Sequence, residues 1–376
     1  MNVKTKILIV DDSRIFRSAV EESLAGEKDI EVIGSVWNGI KAIEFIRTNR
    51  PDLVTLDVEM PDMGGLETLE AIRKFNAADR TLPPVGVIMV SSFTQKGADT
   101  TIRALEAGAF DFITKPEGKS LSESMESLSR QLAVKIRYFA SLRISKKSAG
   151  EIGENGPAAI SPPLSAVSPP PIILRSTFPP KSAPSKIQAV LIGVSTGGPR
   201  ALAEILPRMC ELLSIPIFIV QHMPPTFTQS LAVSLNSRCR YTVTEAENNT
   251  IVREHHAYIA PGGRHMLIRR RGENIVIILN RQPPEKGCRP SADILFRSAA
   301  AVYEENTVAV ILTGMGTDGT KGAAALKRAG AYIIAQDEET SVVWGMPGSA
   351  QAAGTVDEML PLGKIADTVI SLVNKK

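Results

Sequence analysis

Two groups of residues in this 376-residue chain have types and spacings suited to chemistry. The first is Asp11-Asp12, Asp57, Ser91-Ser92 and Lys115, each directly following a short apolar run. Carboxylates are hard oxygen ligands for Mg2+, and one of them can attack a phosphoryl group while a hydroxyl and an ammonium stabilise the phosphoryl oxygens. A plainer reading makes these solvated loop residues, with Asp12 capping a helix that starts near Arg14. Four run ends bearing complementary groups are harder to assign to caps.

The second group begins at Gly193-Val194-Ser195-Thr196-Gly197-Gly198-Pro199, between the apolar run Gln188–Ile192 and the helical pattern Arg200–Leu213. A Gly-x-Ser-x-Gly turn between strand and helix exposes a serine, and the helix N-terminus offers N–H donors to an oxyanion. Pro199 suits a first helical turn. The alternative is a glycine-rich phosphate cradle without a nucleophile, although neither a GxGxxG nor a Walker lysine is present. A nucleophilic serine needs a base, and the chain has four histidines. His222, in Gln221-His222-Met223-Pro224, ends the strand-like run Ile215–Val220, whereas His255 and His256 precede a strand and His265 starts one. Asp318, in Leu312-Thr313-Gly314-Met315-Gly316-Thr317-Asp318-Gly319, stands near a third strand end and can orient an imidazole. Capping for Asp318 and a solvated loop for His222 are the bland alternatives. The order Ser…His…Asp also departs from the Ser…Asp…His order of α/β-hydrolases.

The elements that must position these groups follow from periodicity. In the first half, strands are predicted at Lys6–Val10, Glu31–Val36, Leu53–Leu56, Val85–Val90 and Asp111–Ile113, with helices such as Ser13–Ala25 and Gly39–Asn49 between them. Five such units imply a doubly wound parallel sheet, whose ligands sit beyond the strands' carboxyl ends. The second half repeats the alternation with Gln188–Gly193, Ile215–Val220, Val308–Leu312 and Ala331–Ala335. His256–Ala260, His265–Arg269 and Asn274–Leu279 lie between, close enough to include a hairpin. Both halves are expected to be α/β. The 42 residues Ser145–Lys186 hold nine prolines and eight serines, a linker composition, and the helix-like run Ser122–Leu142 leads into them.

Composition narrows the function classes. Apolar residues are 43% and charged residues 22%, the profile of a globular protein, and aromatics at 5% speak against base-stacking platforms. The net charge of +3 is too small to imply a polyanion partner. It is unevenly spread: residues 1–130 carry 16 basic against 21 acidic side chains. Oppositely charged halves favour docking on each other, though chance surface variation gives the same numbers. Cys210, Cys239 and Cys288 are an odd number without a CxxC, which argues against a disulfide framework or a zinc cluster and fits a reducing compartment. No signal-like leader or run near the bilayer-spanning length is evident, so a cytoplasmic location is expected.

Residues 4–125 resemble a response-regulator receiver domain through LIVDDS, TLDVEMPDMGG, MVSS and ITKP, in that order. That resemblance implies a flavodoxin-like fold with Asp57 accepting phosphate from a chemotaxis histidine kinase. It also places Asp11, Asp12, Asp57 and the carbonyl of Glu59 around Mg2+, with Ser91, Lys115 and Phe112 as switch residues. Residues 187–373 resemble the catalytic domain of the chemotaxis protein-glutamate methylesterases through GVSTGGP, VQHMP, YIAPGGRHM, RPSADILFRSAA and LTGMGTDGTKGAAALKRAGAYIIAQDEETSVVWGMPGSA. Val194 stands where alanine is expected, a conservative change. The resemblance implies domains at 1–125 and 187–376 joined by helix and linker at 126–186. It further implies Ser195, His222 and Asp318 as a catalytic triad without a cofactor, and amides near Thr196 and Met315 as oxyanion donors. The implied activity is hydrolysis of glutamate γ-methyl esters, with glutamine deamidation, on chemoreceptor cytoplasmic helices. A monomer is expected for want of coiled-coil heptads, with no nucleic-acid partner and no membrane insertion. Two rivals are a phosphorylation-controlled binding protein with an idle esterase-like domain and a receiver-linked DNA-binding regulator. The second needs a compact helix-turn-helix that the sheet-rich second half does not offer.

Overall fold

The computed structural model describes residues 4–79, 81–115, 121–150 and 186–375, the side chains of 121–125, 127 and 144–150 excepted. Most of the linker expected at Ser145–Lys186 therefore lies outside the described residues.

The first half is built from β1 (Thr5–Val10), α1 (Arg14–Leu24), β2 (Ile30–Val36), α2 (Gly39–Asn49), β3 (Leu53–Asp57), α3 (Gly65–Ala78), β4 (Gly86–Ser91), α4 (Gln95–Glu106), β5 (Asp111–Thr114) and α5 (Leu121–Gly150). All pairings are parallel, in the order β2-β1-β3-β4-β5. The central strands are apolar on both faces because helices cover both, and β3 is buried at every position. Side-chain caps start the helices: Ser13 Oγ accepts from the Phe16 amide, Asn38 Oδ1 from Lys41 and Thr94 Oγ1 from Gly97. Ser13, rather than Asp12, caps α1, which leaves Asp12 free for other work. The strand order reverses between β1 and β3, so Asp11 and Asp57 stand at the topological switch point.

The boundary expected at residue 125 falls inside α5. Leu128, Leu132, Ala133, Ile136 and Phe139 of that helix share a core with Ile7, Ile9, Val90 and Ile113 of the sheet. The amphipathic run Ser122–Leu142 is thus an outer layer of the receiver-like half.

The second half comprises β6 (Ala189–Val194), α6 (Gly198–Leu212), β7 (Ile217–Gln221), α7 (Phe227–Asn236), β8 (Thr242–Glu245), β9 (His256–Ile259), β10 (His265–Arg271), β11 (Asn274–Asn280), α8 (Ala292–Tyr303), β12 (Thr307–Ile311), α9 (Thr320–Ala329), β13 (Tyr332–Gln336), α10 (Met346–Ala352), β14 (Glu358–Leu360) and α11 (Leu362–Asn374). Seven parallel strands run in the order β14-β13-β12-β6-β7-β9-β8, and β10 and β11 form the expected antiparallel hairpin outside that sheet. From β6 the chain goes one way to β7 and the other way to β12. The crevice beyond β6, β7 and β12 is therefore this sheet's switch point.

The two halves dock through α4, which lies on α6 and α7. Phe227, fully buried at the start of α7, stacks on Phe112 of β5 at 4.6 Å and meets the edge of Phe93 at 6.3 Å. Gln95 Nε2 donates to Ser230 Oγ at 2.8 Å, Ser234 Oγ donates to Glu106 Oε1 at 2.7 Å, and Arg238 pairs with Glu106. Among the described residues this is the one ion pair between the halves. The opposite net charges of the halves therefore contribute less to docking than apolar contact and directed hydrogen bonds do. Removing the ring of Phe227 should be costly: Phe227→Ala is expected to lose about 3–5 kcal/mol of stability. Urea unfolding read by Trp344 fluorescence in a Trp37→Phe background checks this, and a loss under about 1 kcal/mol would contradict the packing described.

Candidate functional site

Two clusters of side chains sit at the two switch points. In the first half, ligand oxygens of Asp11, Asp12 and Asp57 lie within 4.8 Å of one another. Lys115 Nζ is 2.8 Å from Asp11 Oδ2 and 2.9 Å from Asp57 Oδ2. Burial raises Asp57 to a pKa of about 6, reinforced by the neighbouring Asp11 and opposed by Lys115. Asp11 Oδ2 is buried without a hydrogen-bond partner and faces the ammonium. Clustered, under-neutralised carboxylates of this kind suit a hard divalent cation such as Mg2+. Ser91 is buried at the end of β4, its Oγ donating to the Ser92 carbonyl at 3.2 Å. Glu59 stands two residues past Asp57, with its side chain 3.5 Å from Lys96.

In the second half, Ser195 follows β6, His222 follows β7 and Asp318 lies beyond β12. His222 Nε2 is 2.8 Å from Asp318 Oδ2. That carboxylate is almost fully satisfied by the start of α8. Ser291 Oγ donates to Oδ1 at 2.7 Å and the Asp293 amide at 3.1 Å, while the Ala292 amide donates to Oδ2 at 2.6 Å. Otherwise unpaired N–H groups at a helix start, together with its positive dipole end, are a natural seat for an anion. Burial works against ionisation of Asp318, but His222, Ser291 and the α8 amide of Asp293 outweigh it and hold the carboxyl at about 2.

Burial likewise disfavours the imidazolium of His222. The hydrogen bond to Asp318, followed by the contact with Cys288, prevails and lifts His222 to about 9. A raised histidine stabilises the fold fully below the unfolded value near 6.5, and that contribution fades as pH rises through about 9. The basic form needed to accept a proton gains ground over the same interval.

The serine turn is held from several sides. The Ser195 amide donates to Thr313 O at 3.0 Å, and Thr313 Oγ1 donates to Thr196 O at 2.9 Å. Gln221 Nε2 donates to Ser195 O at 2.9 Å. The left-handed position is Gly197 (φ 81°), where a Cβ would lie 2.7 Å from Val342; Ser195 itself is not left-handed. This turn differs in that respect from the strained elbow expected of a Gly-x-Ser-x-Gly motif. Gly314 lets its loop reach the serine, since a Cβ there would lie 2.7 Å from Ser195 Cβ. Met315 follows Gly314 in that loop, and Thr196 follows Ser195 in sequence.

Ser195 and His222 line a cavity of 440 Å3 with Met223, Gly263, Cys288 and Arg289. Its other wall belongs to the first half: Leu105, Asp111, Phe112, Ile113, Thr114, Gln131 and Lys135. Asp111 Oδ2 accepts from Thr196 Oγ1 at 2.6 Å and from Lys135 Nζ at 2.5 Å, so a β5 carboxylate grips the residue after the serine. Among the described residues Ser195 Oγ forms no hydrogen bond, and His222 Nδ1 is within hydrogen-bond range of Cys288 Sγ at 3.7 Å. Serine and base are neighbours in one cavity without being joined.

The sequence pointed to Asp11, Asp12, Asp57, Ser91, Lys115, Phe112, Ser195, His222 and Asp318; in the structure Asp11, Asp12, Asp57, Ser91, Lys115, Ser195 and His222 stand at or just past strand ends, Asp318 lies in the loop beyond β12, and Phe112 lies within β5. Sequence reasoning missed Asp111, Cys288, Gln221 and Ser291. Ser291 stood in RPSADILFRSAA just before a helical pattern, where a cap was legible; the other three gain their partners only through tertiary contact.

A phosphoacceptor-type carboxylate cluster docked over a strand-end Ser/His/Asp crevice defines a receiver-linked hydrolase. The chain matches the response regulator receiver domain over residues 7–125 and the CheB methylesterase domain over residues 190–369. It is 42% identical over 98% of its length to a protein-glutamate methylesterase/protein-glutamine glutaminase of Desulfotalea psychrophila, covering 98% of that relative. It is also 42% identical over 99% of its length to the protein of that name from Pyrococcus horikoshii, covering 95% of it. The crystal structure of the Thermotoga maritima CheB methylesterase catalytic domain matches at 44% identity and a TM-score of 0.49, over 50% of this chain and 100% of that one. The chain belongs to the family of receiver-bearing protein-glutamate methylesterases/protein-glutamine glutaminases.

The pH dependence follows from the His222–Asp318 pair. The acid limb of kcat/KM is expected above the ordinary histidine value of about 6.5, displaced towards about 9. Asp318→Asn should move that limb back down and lower kcat/KM by about three to four powers of ten. A pH–rate profile of both proteins checks this, and an identical limb in the two would contradict it.

Proposed function

We propose that this protein hydrolyses glutamate γ-methyl esters, and deamidates selected glutamines, on the cytoplasmic helices of chemoreceptors, using Ser195, His222 and Asp318. The observation that carries the proposal is their convergence at one switch point, with Asp318 bound to His222 at 2.8 Å and Ser195 in the same cavity. His222 Nδ1 takes the proton of Ser195 Oγ as the oxygen attacks the side-chain carbonyl carbon. Asp318 fixes the tautomer that leaves Nδ1 free and stabilises the imidazolium. The amides of Thr196 and Met315 are the candidate donors to the oxyanion. His222 returns the proton to the leaving group, methanol from an ester or ammonia from an amide. Water, deprotonated by the same imidazole, then cleaves the γ-glutamyl ester on Ser195. This chemistry calls on no cofactor at the esterase site.

Control is assigned to the receiver. A chemotaxis histidine kinase supplies phosphate to Asp57, with Asp11, Asp12, Asp57 and the Glu59 carbonyl as the residues that would hold Mg2+. The cation, when bound, neutralises charge on the transferred phosphoryl group. Lys115 and Ser91 stand at the neighbouring strand ends to hold phosphoryl oxygens, and Phe112 links them to the catalytic half by its stacking on Phe227. Docked, the receiver roofs the cleft and Asp111 restrains Thr196, an arrangement that excludes a receptor helix. A preference of a few kcal/mol for an undocked state on phosphorylation is enough to open it. The proposed domains are 1–125 and 187–376, joined by helix and linker at 126–186, with the α5 part of that join packed on the receiver. Among the described residues no helix is long and apolar enough to cross a membrane; we place the protein in the cytoplasm, as a monomer, with no nucleic-acid partner.

Methanol release from a methyl-labelled receptor cytoplasmic fragment tests both levels. Ser195→Ala is expected to lower it by at least about three powers of ten. Deletion of residues 1–186 is expected to raise the basal rate. Release indifferent to Ser195 would favour the idle-esterase binding protein, and no gain on deletion would sink occlusion.

A further inference from the structure

Cys288 takes no part in the esterase chemistry, yet its Sγ lies 3.7 Å from His222 Nδ1, the ring nitrogen that Asp318 leaves free. A thiol beside an imidazole nitrogen forms a nucleophile–base pair: the ring accepts the proton and the thiolate attacks. This thiol also opens onto the 440 Å3 cavity, whereas Cys210 is buried in the core and Cys239 lies outside that cavity. The cavity walls hold two buried polar atoms without partners: Gln221 Oε1, on a side chain 1% exposed, and Arg289 Nε. Lys135 on the opposite wall is held by Asp111, whereas Arg289 forms no ion pair among the described residues and adds a positive charge to the lining. Such a lining suits a small anionic molecule with amide groups, and the volume falls within the usual range for small-ligand sites.

We propose that Cys288 is a thiol-modification site, at which a small anionic disulfide of the glutathione class forms a mixed disulfide inside the cleft and stops the esterase until a thiol reduces it. The step balances without a further reagent. The Cys288 proton passes to His222 Nδ1, and the thiolate attacks one sulfur of the disulfide. A bond forms between Cys288 Sγ and that sulfur as the original S–S bond breaks. The other half departs as a thiolate and takes the proton from His222, leaving Cys288 oxidised and one small thiol released. The attached group then fills the space a receptor side chain needs and covers the base. A free thiol reverses each step. The consequence for activity rests on the proposed esterase mechanism; the chemistry at sulfur does not.

The test uses the full chain at neutral pH with oxidised glutathione, read by intact mass, peptide mapping and methanol release before and after dithiothreitol. One glutathionyl group is expected on the Cys288 peptide, with methanol release falling in proportion to the modified fraction and returning on reduction. Cys288→Ser should take up no adduct at this position, and its methanol release, whatever the basal rate, should be unchanged by oxidised glutathione. His222→Ala should slow labelling of Cys288 by about tenfold, a loss that mere exposure of the thiol would not produce. Adduct on Cys239 alone, no adduct, or full modification of Cys288 with unchanged methanol release would each overturn the proposal. The adduct mass is read independently of catalysis, so a failure of the esterase reading shows separately, as absent methanol release in untreated protein.

Discussion

One buried carboxylate holds the catalytic crevice together. Asp318 is removed from water, and a charge in that position persists only if its oxygens are satisfied. Four donors do this: the His222 ring, the Ser291 hydroxyl, and the Ala292 and Asp293 amides at the start of α8. The requirement ties the loop after β12, the end of β7 and the first turn of α8 to one point. A second buried acid repeats the device nearby, with Asp293 accepting from the Gly322 amide at 2.6 Å and pairing with Lys286 at 3.0 Å. Lys286 in turn donates to Thr317 O at 2.6 Å, which fastens the segment bearing Cys288 to the loop bearing Asp318. The geometry of the crevice is thus set by charge satisfaction, and the apolar sheet beneath supplies the rigid frame.

The receiver reaches this crevice through strand β5. Asp57 ends β3, Ser91 ends the adjacent β4, and β5 beside it carries both Asp111 and Phe112. Asp111 binds the hydroxyl of Thr196, next to Ser195, and Phe112 stacks on Phe227, five residues beyond His222 in the chain. Under the proposed control, a rearrangement of one short strand would act on the serine turn and the histidine loop at once. Burial and the Asp11 charge disfavour the ionised form of Asp57, against the pull of Lys115. Two packings of the α4–β5 face that differ by a few kcal/mol are all a switch requires.

The strand-end residues were legible in the sequence for a physical reason. In a parallel sheet, apolar runs mark the strands, and the first polar groups after them must face the crevice, so Asp11, Asp57, Ser195 and His222 could be placed by counting. The helix Gly39–Asn49 was likewise readable to its ends, because Asn38 caps it and its apolar face is periodic. Strands β8 and β14 were not, being sheet edges of four and three residues with little periodicity to display. The role of α5 was hidden because its apolar side is defined by the sheet it covers. Asp111, Gln221 and Cys288 acquire meaning only when two halves or two loops meet, and no local pattern encodes that. The net-charge difference between the halves pointed towards docking, but aromatic stacking and hydrogen bonds carry more of it than ion pairs do.

The central claim is that the docked receiver covers the Ser195 crevice and that phosphate on Asp57 lifts it. Amide hydrogen exchange of the full chain, with and without a small phosphodonor and Mg2+, addresses this most directly. Faster exchange confined to α4, the start of α7 and the turn around Ser195–Gly198 on phosphorylation is the expected result. Unchanged protection of those segments, with Asp57 demonstrably phosphorylated, would contradict it.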